Sequence, residues 1–181
     1  MNNRALLLLL SVALFGGFTL AGASQPVPAS EFTTTDPKKV TIVEDSSREK
    51  DPEIDHFQHL CPGLGGYEVI HEGGDLRSWI NLKFKGRTTD LAGDTLSACR
   101  GMFPAKANDV VQWRGFRTSQ GFAPYAVIYR MKSVADDAQQ TRQENFIIIK
   151  LDGGDSKVVA SIPAGDGNDA AEATADRLCK P

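Results

Sequence analysis

Leu76-Arg-Ser-Trp-Ile-Asn-Leu-Lys-Phe-Lys85 alternates apolar and polar residues from Ile80 to its end. Ile80, Leu82 and Phe84 recur at every second position, with Asn81, Lys83 and Lys85 between them. That period predicts a strand with one face in a core and the other in solvent. Tyr67–His71 is a second strand, joined to the first through the hairpin turn Gly73-Gly74-Asp75. Downstream, Val110–Arg117 and Tyr125–Lys132 read as strands separated by a loop at Gly121 and Pro124. In Asn145–Leu151 the run from Phe146 to Ile149 is apolar on both faces, the pattern of a strand covered on both sides. Asp152-Gly-Gly-Asp155 then turns the chain into Lys157–Ile162.

Helical signals are fewer. Asp51 is a good N-cap and Pro52 suits a first helical position, so a short helix is predicted to carry Ile54, Phe57 and Cys61 on one face. Leu91, Thr95, Ala98 and Cys99 mark a second short helix, weakened by Gly93. The chain closes with a helix from about Asp169 to Cys179. Asp169 and Glu172 resemble a capping box there, and Ala171, Ala175, Leu178 and Cys179 form the inner stripe. The order predicts an α+β domain: a mostly antiparallel sheet of about five to six strands, with the C-terminal helix and one or two short helices packed on it.

The N-terminus gives the chain's destination. Arg4 precedes an apolar run from Ala5 to Leu14, broken only by Ser11, and Ala21-Gly22-Ala23 supplies the small residues of a cleavage site. Residues 1–23 therefore read as a secretory signal peptide rather than a membrane span, which needs about 20 apolar residues. No cysteine stands at the cleavage point, which argues against a lipid anchor, and no second hydrophobic stretch argues for an integral membrane protein. Residues 24–50, rich in Pro, Ser, Thr and charge, read as a flexible leader with a short strand at Lys39–Glu44; residues 51–181 form the single folded domain. The formal charge of −3, one unit more negative once Arg4 leaves, argues against nucleic acid as a partner.

Cys61, Cys99 and Cys179 all follow the signal peptide. An oxidising compartment favours one disulfide, and three pairings are open. Cys61–Cys179 is preferred because it would tie the C-terminus to the core, leaving Cys99 as a small buried apolar residue.

Four motifs invite chemistry and are read as chance or as structure. The glycine-rich stretch from Cys61 to Tyr67 follows a predicted helix and opens a strand, the reverse of a phosphate loop. Ser47-Arg-Glu-Lys50 matches S-x-x-K in a polar leader with nothing to bury its lysine, and Arg117-Thr-Ser-Gln-Gly121 lacks the first glycine of a nucleophile elbow. Asp166-Gly-Asn-Asp169 lacks the further ligands of a calcium loop. His56 and His59 share one face of the predicted first helix, where Cys61 or Glu53 could complete a metal site. Exposed histidines without a ligand role are the simpler reading, and no cofactor is expected.

One constellation is more suggestive. Arg77 and Trp79, Trp113 and Arg114, and Tyr125, Tyr129 and Arg130 put rings and guanidinium groups on successive predicted strands. On an open sheet face, Arg77, Trp79, Trp113, Arg114, Tyr125 and Arg130 would form a platform for an anion or a sugar.

The motifs Cys61-Pro-Gly-Leu-Gly-Gly-Tyr67, Asp75-Leu-Arg77, Trp113-Arg114 and Pro124-Tyr-Ala-Val-Ile-Tyr-Arg130 resemble those of a family of small exported alphaproteobacterial proteins. The similarity runs over most of residues 58–181. It implies a compartment and brings no activity with it. That family carries further cysteines ahead of the C-P-G motif and ahead of the last helix; this chain has none there.

Three functions follow as expectations. The first is a non-enzymatic periplasmic or secreted domain that binds an envelope component or another protein. The second is a small hydrolase or transferase of envelope polymers, marked by a cleft whose carboxylate or histidine has a displaced pKa. The third is a metal-binding or thiol-redox protein built on His56, His59 and Cys61.

Overall fold

A computed structural model describes residues 26–46, 55–135 and 139–181. The expected signal peptide, the Ser47–Lys50 motif and the start of the first predicted helix at Asp51 lie outside the described residues. Within them, alternation becomes ten strands in two antiparallel sheets of five, not one sheet of five to six. The first sheet contains β1 (Pro28–Thr34), β7 (Met102–Thr118), β8 (Gly121–Val134), β9 (Arg142–Lys150) and β10 (Lys157–Pro163), in that spatial order. The second runs β2 (Thr41–Asp45), β3 (His56–Cys61), β4 (Tyr67–Gly74), β5 (Arg77–Phe84) and β6 (Arg87–Thr89). Helix α1 (Ala92–Ala98) links the second sheet to β7, and α2 (Asn168–Cys179) ends the chain. Among the described residues no helix is long and apolar enough to cross a membrane.

The sheets pack face to face. Val69, Ile80 and Leu82 of the second sheet meet Val111, Trp113, Val127, Tyr129, Ile147 and Ile149 of the first in one buried cluster. A second cluster lies on the other face of the first sheet, where Ala126, Ile128, Phe146 and Ile148 meet Ala171, Ala175 and Cys179 of α2. Phe146–Ile149 is thus apolar on both faces because it has a core on each. Fully burying side chains of this size stabilises by about 1.5–3 kcal/mol each.

Two expectations about the N-terminal part are corrected. Part of the expected flexible leader is a strand: β1 pairs along its whole length with β7, while β2, paired with β3, falls where the short strand at Lys39–Glu44 was expected. The predicted helix ending at Cys61 is instead β3, paired residue for residue with β4 from His56↔Gly74 to Cys61↔Val69. The glycine-rich stretch after Cys61 therefore follows a strand and is a turn into β4; Gly65 and Gly66 hold φ of 63° and 86°, left-handed values that glycine adopts without a Cβ penalty.

Helix α2 is held by charge as well as by its alanine stripe. Arg114 donates through Nε and an Nη to both oxygens of Asp176 (2.7 and 2.9 Å), and its other Nη lies 3.0 Å from Glu172. Tyr125 donates to Asp176 at 2.5 Å, while Ser30 and Gln112 donate to Glu172 at 2.8 and 2.6 Å. The β7–β8 register passes from Arg114↔Ala126 to Gly115↔Pro124 and skips Tyr125. This bulge turns Tyr125, which strict alternation would place between the sheets, onto the helix side. Glu172 is consumed by these contacts. The residue at the N-cap is Gly167, which has no side-chain cap bond, so the expected Asp169/Glu172 capping box is not formed.

The clamp predicts that Asp176→Ala, by stranding a guanidinium that is only 13% exposed, costs about 2 kcal/mol. Chemical unfolding measures the loss, and hydrogen exchange should speed up first in α2. An unchanged midpoint would show that the ion pair does not hold the helix.

Candidate functional site

The six residues expected to form a platform do not share a surface. Trp113 lies fully buried between the sheets and donates to Thr33 Oγ1 at 2.9 Å. Trp79 is on the opposite, outer face of the second sheet, where Glu72 accepts from it at 3.3 Å, from Gln58 at 2.5 Å and from Asn81 at 2.9 Å. Arg114 and Tyr125 are committed to α2. Arg130 lies over the Phe146 ring and pairs with Glu144 at 2.5 Å. Arg77 stands at one end of the second sheet, paired with Asp75 and 5.7 Å from the Phe103 ring centroid. With two sheets instead of one, successive strands no longer present their outer residues on a common face.

The weak metal candidates and the preferred disulfide both lack the geometry they would need. On a strand, His56 and His59 point to opposite faces. His56 turns outward, 3.7 Å from Glu44, while His59 is buried in register with His71 of β4. Among the described residues no group of three or more His, Cys, Asp or Glu is placed to hold a metal. The three cysteines are free and buried. Cys61 lies between the sheets and Cys179 under α2, so the whole thickness of the first sheet separates the preferred pair. Cys99 meets Met131 Sδ at 3.7 Å in the core, as a buried apolar residue. Burial pushes Cys61 and Cys179 up to about 11 and Cys99 to about 12, so none is a ready thiolate at neutral pH.

What the structure does assemble is a cleft of about 310 Å³ at one end of the sandwich. Phe57, His71 and Ser78 reach it from the inner positions of β3, β4 and β5. The early part of β7 crosses that corner, fixed by the Lys106 amide donating to Ser78 Oγ at 3.0 Å, and brings Ala105 and Lys106 to the opposite wall. Leu76, Arg77, Lys132 and Asp55 form the lip. Gly73 makes the floor possible: a Cβ there would come within 2.5 Å of the Phe57 ring, which lies 4.9 Å from the His71 ring and 5.0 Å from that of His59.

His71 is the unusual group. It is 2% exposed, yet among the described residues neither ring nitrogen has a hydrogen-bond partner. Burial, then the charge of Lys106 and the neighbouring His59, depress its pKa to about 3. A buried polar group without a partner costs stability, and a bond supplied from outside the chain is one way to relieve it. At neutral pH the ring is uncharged and offers one N–H donor and one acceptor nitrogen. It is a poor general base, because proton transfer at neutral pH is best served by a pKa near 7.

The lip is rich in cations. Arg77 is engaged by Asp75, and Lys106 by Asp109 at 2.6 Å and the Thr35 carbonyl at 3.2 Å. Lys132 has no ion pair among the described residues. The sequence did contain a signal for this site: in Tyr67–His71 the alternation that turns Tyr67 and Val69 inward also turns His71 inward, a polar residue at a core position.

The depressed pKa has a testable sign. Above 6.5 both folded and unfolded chains leave this histidine neutral, and its contribution to stability is constant. As pH falls from 6.5 towards 3, the unfolded chain takes up a proton that the folded chain refuses, and stability is lost. The stability difference between the native protein and His71→Phe should therefore be flat above pH 6.5 and shift steadily in favour of the variant below it. Denaturation curves at a series of pH values measure this; a pH-independent difference would contradict a buried neutral imidazole. Comparison of the chain with protein-family models, with curated proteins and with solved structures finds no match, and the site is therefore read from its own residues.

Proposed function

We propose that this chain is an exported, non-enzymatic binding domain, and that its small-molecule ligand enters the cleft at His71. The observation that carries the reading is a nearly inaccessible histidine at the floor of an open cleft whose ring nitrogens have no partner among the described residues. Ligand sites combine an apolar lining with a few converging polar groups, and this cleft has both. Its volume lies at the small end of the usual range of roughly 300–1,000 Å³. The thiol-redox alternative finds no support in three buried, protonated cysteines. A hydrolase draws support from the displaced pKa of His71, but the displacement is away from the value that acid–base work needs.

Export and binding are separately measurable. After expression of the full chain in a bacterial host, the exported product should begin at Ser24; a product that keeps residues 1–23 and stays in the cytoplasm would overturn the export half. For binding, an NMR screen of the purified protein against a neutral and charged fragment set should move the amide resonances of Gly74, Ser78, Ala105 and Lys106 together. If fragments shift other surfaces and leave those four amides in place, the cleft is not the binding site.

A further inference from the structure

We infer that the outer face of the first sheet, beyond the N-terminus of α2, is a docking surface for a polypeptide segment in which apolar residues are followed by carboxylates. It lies on the other side of that sheet from the His71 cleft and is independent of how the cleft is used. Bare apolar area, local charge and the example of α2 itself point to this occupant.

Helix α2 covers Ala126, Ile128, Phe146 and Ile148 with Ala171, Ala175 and Cys179. The same face then continues along β8 and β9 through the pairs Arg130↔Phe146, Lys132↔Glu144 and Val134↔Arg142. Where the helix stops, a cavity of about 220 Å³ opens over the buried Ile128 and Phe146, bordered by Phe32, Val110, Arg130 and Asn168. Phe32 and Val110 are 61% and 44% exposed. Large apolar side chains scattered singly over a surface need no explanation, but two of them bordering one apolar concavity are what an interaction site presents.

Charge follows along the strands. Further on, a cavity of about 380 Å³ has Lys132, Val134, Arg142 and Glu144 in its lining. Arg130, Lys132 and Arg142 outnumber the one carboxylate among them, on a chain whose formal charge is −3. Glu144 takes one Nη of Arg130 at 2.5 Å, and the buried Nε of that arginine has no acceptor among the described residues. Lys132 borders the His71 cleft as well, yet alternation sets it on this outer face beside Glu144, opposite to Met131 and Ser133.

The neighbouring part of the face shows what chemistry it takes. There α2 lays small apolar residues on the sheet and sets Glu172 and Asp176 on Arg114. A partner that continues this cover repeats the arrangement, with apolar side chains against Phe32 and Val110 and carboxylates on Arg130 and Lys132. From Ile128 to Val134 the strand rises about 20 Å, the reach of a peptide segment rather than of a small acid. A flat lipid surface would not reach Ile128 and Phe146 at the bottom of the first cavity.

Three capped pentapeptides test the assignment: two leucines followed by three glutamates, the same with glutamine for glutamate, and the same with serine for leucine. In NMR titrations of the purified protein the leucine–glutamate peptide should bind about fivefold tighter than the glutamine control, the worth of two exposed ion pairs. It should also outbind the serine control, and it should move the amides of Val110, Gln112, Arg130, Lys132 and Glu144 while leaving Gly74 and Ser78 in place. Lys132→Gln combined with Arg142→Gln, both at exposed positions, should remove most of the advantage over the glutamine peptide; Phe32→Ser should remove the advantage over the serine peptide. Thermal melts check that both variants are folded. Glutamate and glutamine peptides binding alike, or serine serving as well as leucine, would overturn the proposed occupant. Indifference to all three peptides, with binding to phosphatidylglycerol vesicles through the same amides, would give the face to a lipid surface instead. Silence of these amides towards peptides and vesicles alike would remove the docking surface and leave the His71 cleft untouched.

Discussion

The first sheet has apolar side chains on both faces, and both must be covered. β8 and β9 send Val127, Tyr129, Ile147 and Ile149 one way and Ala126, Ile128, Phe146 and Ile148 the other. Neither a second sheet nor a helix could by itself hide both rows. The other elements follow from that requirement: β2–β6 close one side, and α2 closes the other. Alanines at 171 and 175 let the helix backbone come close to the sheet, and Arg114, Tyr125 and Gln112 fill the polar margin with bonds to Glu172 and Asp176. Residues that looked like a recognition surface are therefore largely the fastening of this middle layer.

The cleft arises where that covering ends. The cleft lies at the corner where β7 bulges, its register with β8 shifting between Met102 and Ala105 and again between Lys106 and Val111. A bulge bends and twists its strand, and here the start of β7, while still paired with β8 at Met102, Ala105 and Lys106, also reaches β5 through the Lys106 amide and Ser78. The corner opens over the inner row of β4, so the last inward side chain of that row, His71, becomes the floor of a cleft instead of part of a dry core. Position in the strand, more than residue type, sets this histidine at the cleft while keeping its exposed area to 2%.

The sequence carried some of this plainly and hid the rest for physical reasons. β4 and β5 are legible from a period of two, β9 from an apolar run covered on both faces, and α2 from its small-residue stripe. β3 is not. Phe57 and Cys61 are four apart, a spacing that suits both a helix face and one side of a strand, and only His59 between them discriminates. A histidine does not declare whether it is buried, so the cap-like Asp51-Pro52 decided for the helix. β1 is hidden for another reason: its pairing with β7 is backbone hydrogen bonding, while Ser30 and Thr33 make polar contacts and Phe32 stays 61% exposed, so no hydrophobic alternation announces it. A stack of two sheets is also invisible to strand-by-strand reading, since periodicity fixes which face is apolar and not which partner covers it. For that reason the platform of rings and guanidinium groups is not one surface, while the inward setting of His71 does follow from the alternation of Tyr67, Val69 and His71.

The bond between Ser30 and Glu172 joins residues 142 positions apart. The strand that carries one and the helix that carries the other cap the same sheet, one near the start of the described chain and one at its end. Contacts this distant in sequence slow folding, because the intervening loop must be closed before they return any stability. During synthesis the outer face of the first sheet stays uncovered until Cys179 has left the ribosome. Until residues 168–179 are in place, Ile128, Phe146 and Ile148 have no helix over them, so the middle layer of this protein is completed late in folding and its exposed apolar row is the part most open to wrong contacts meanwhile.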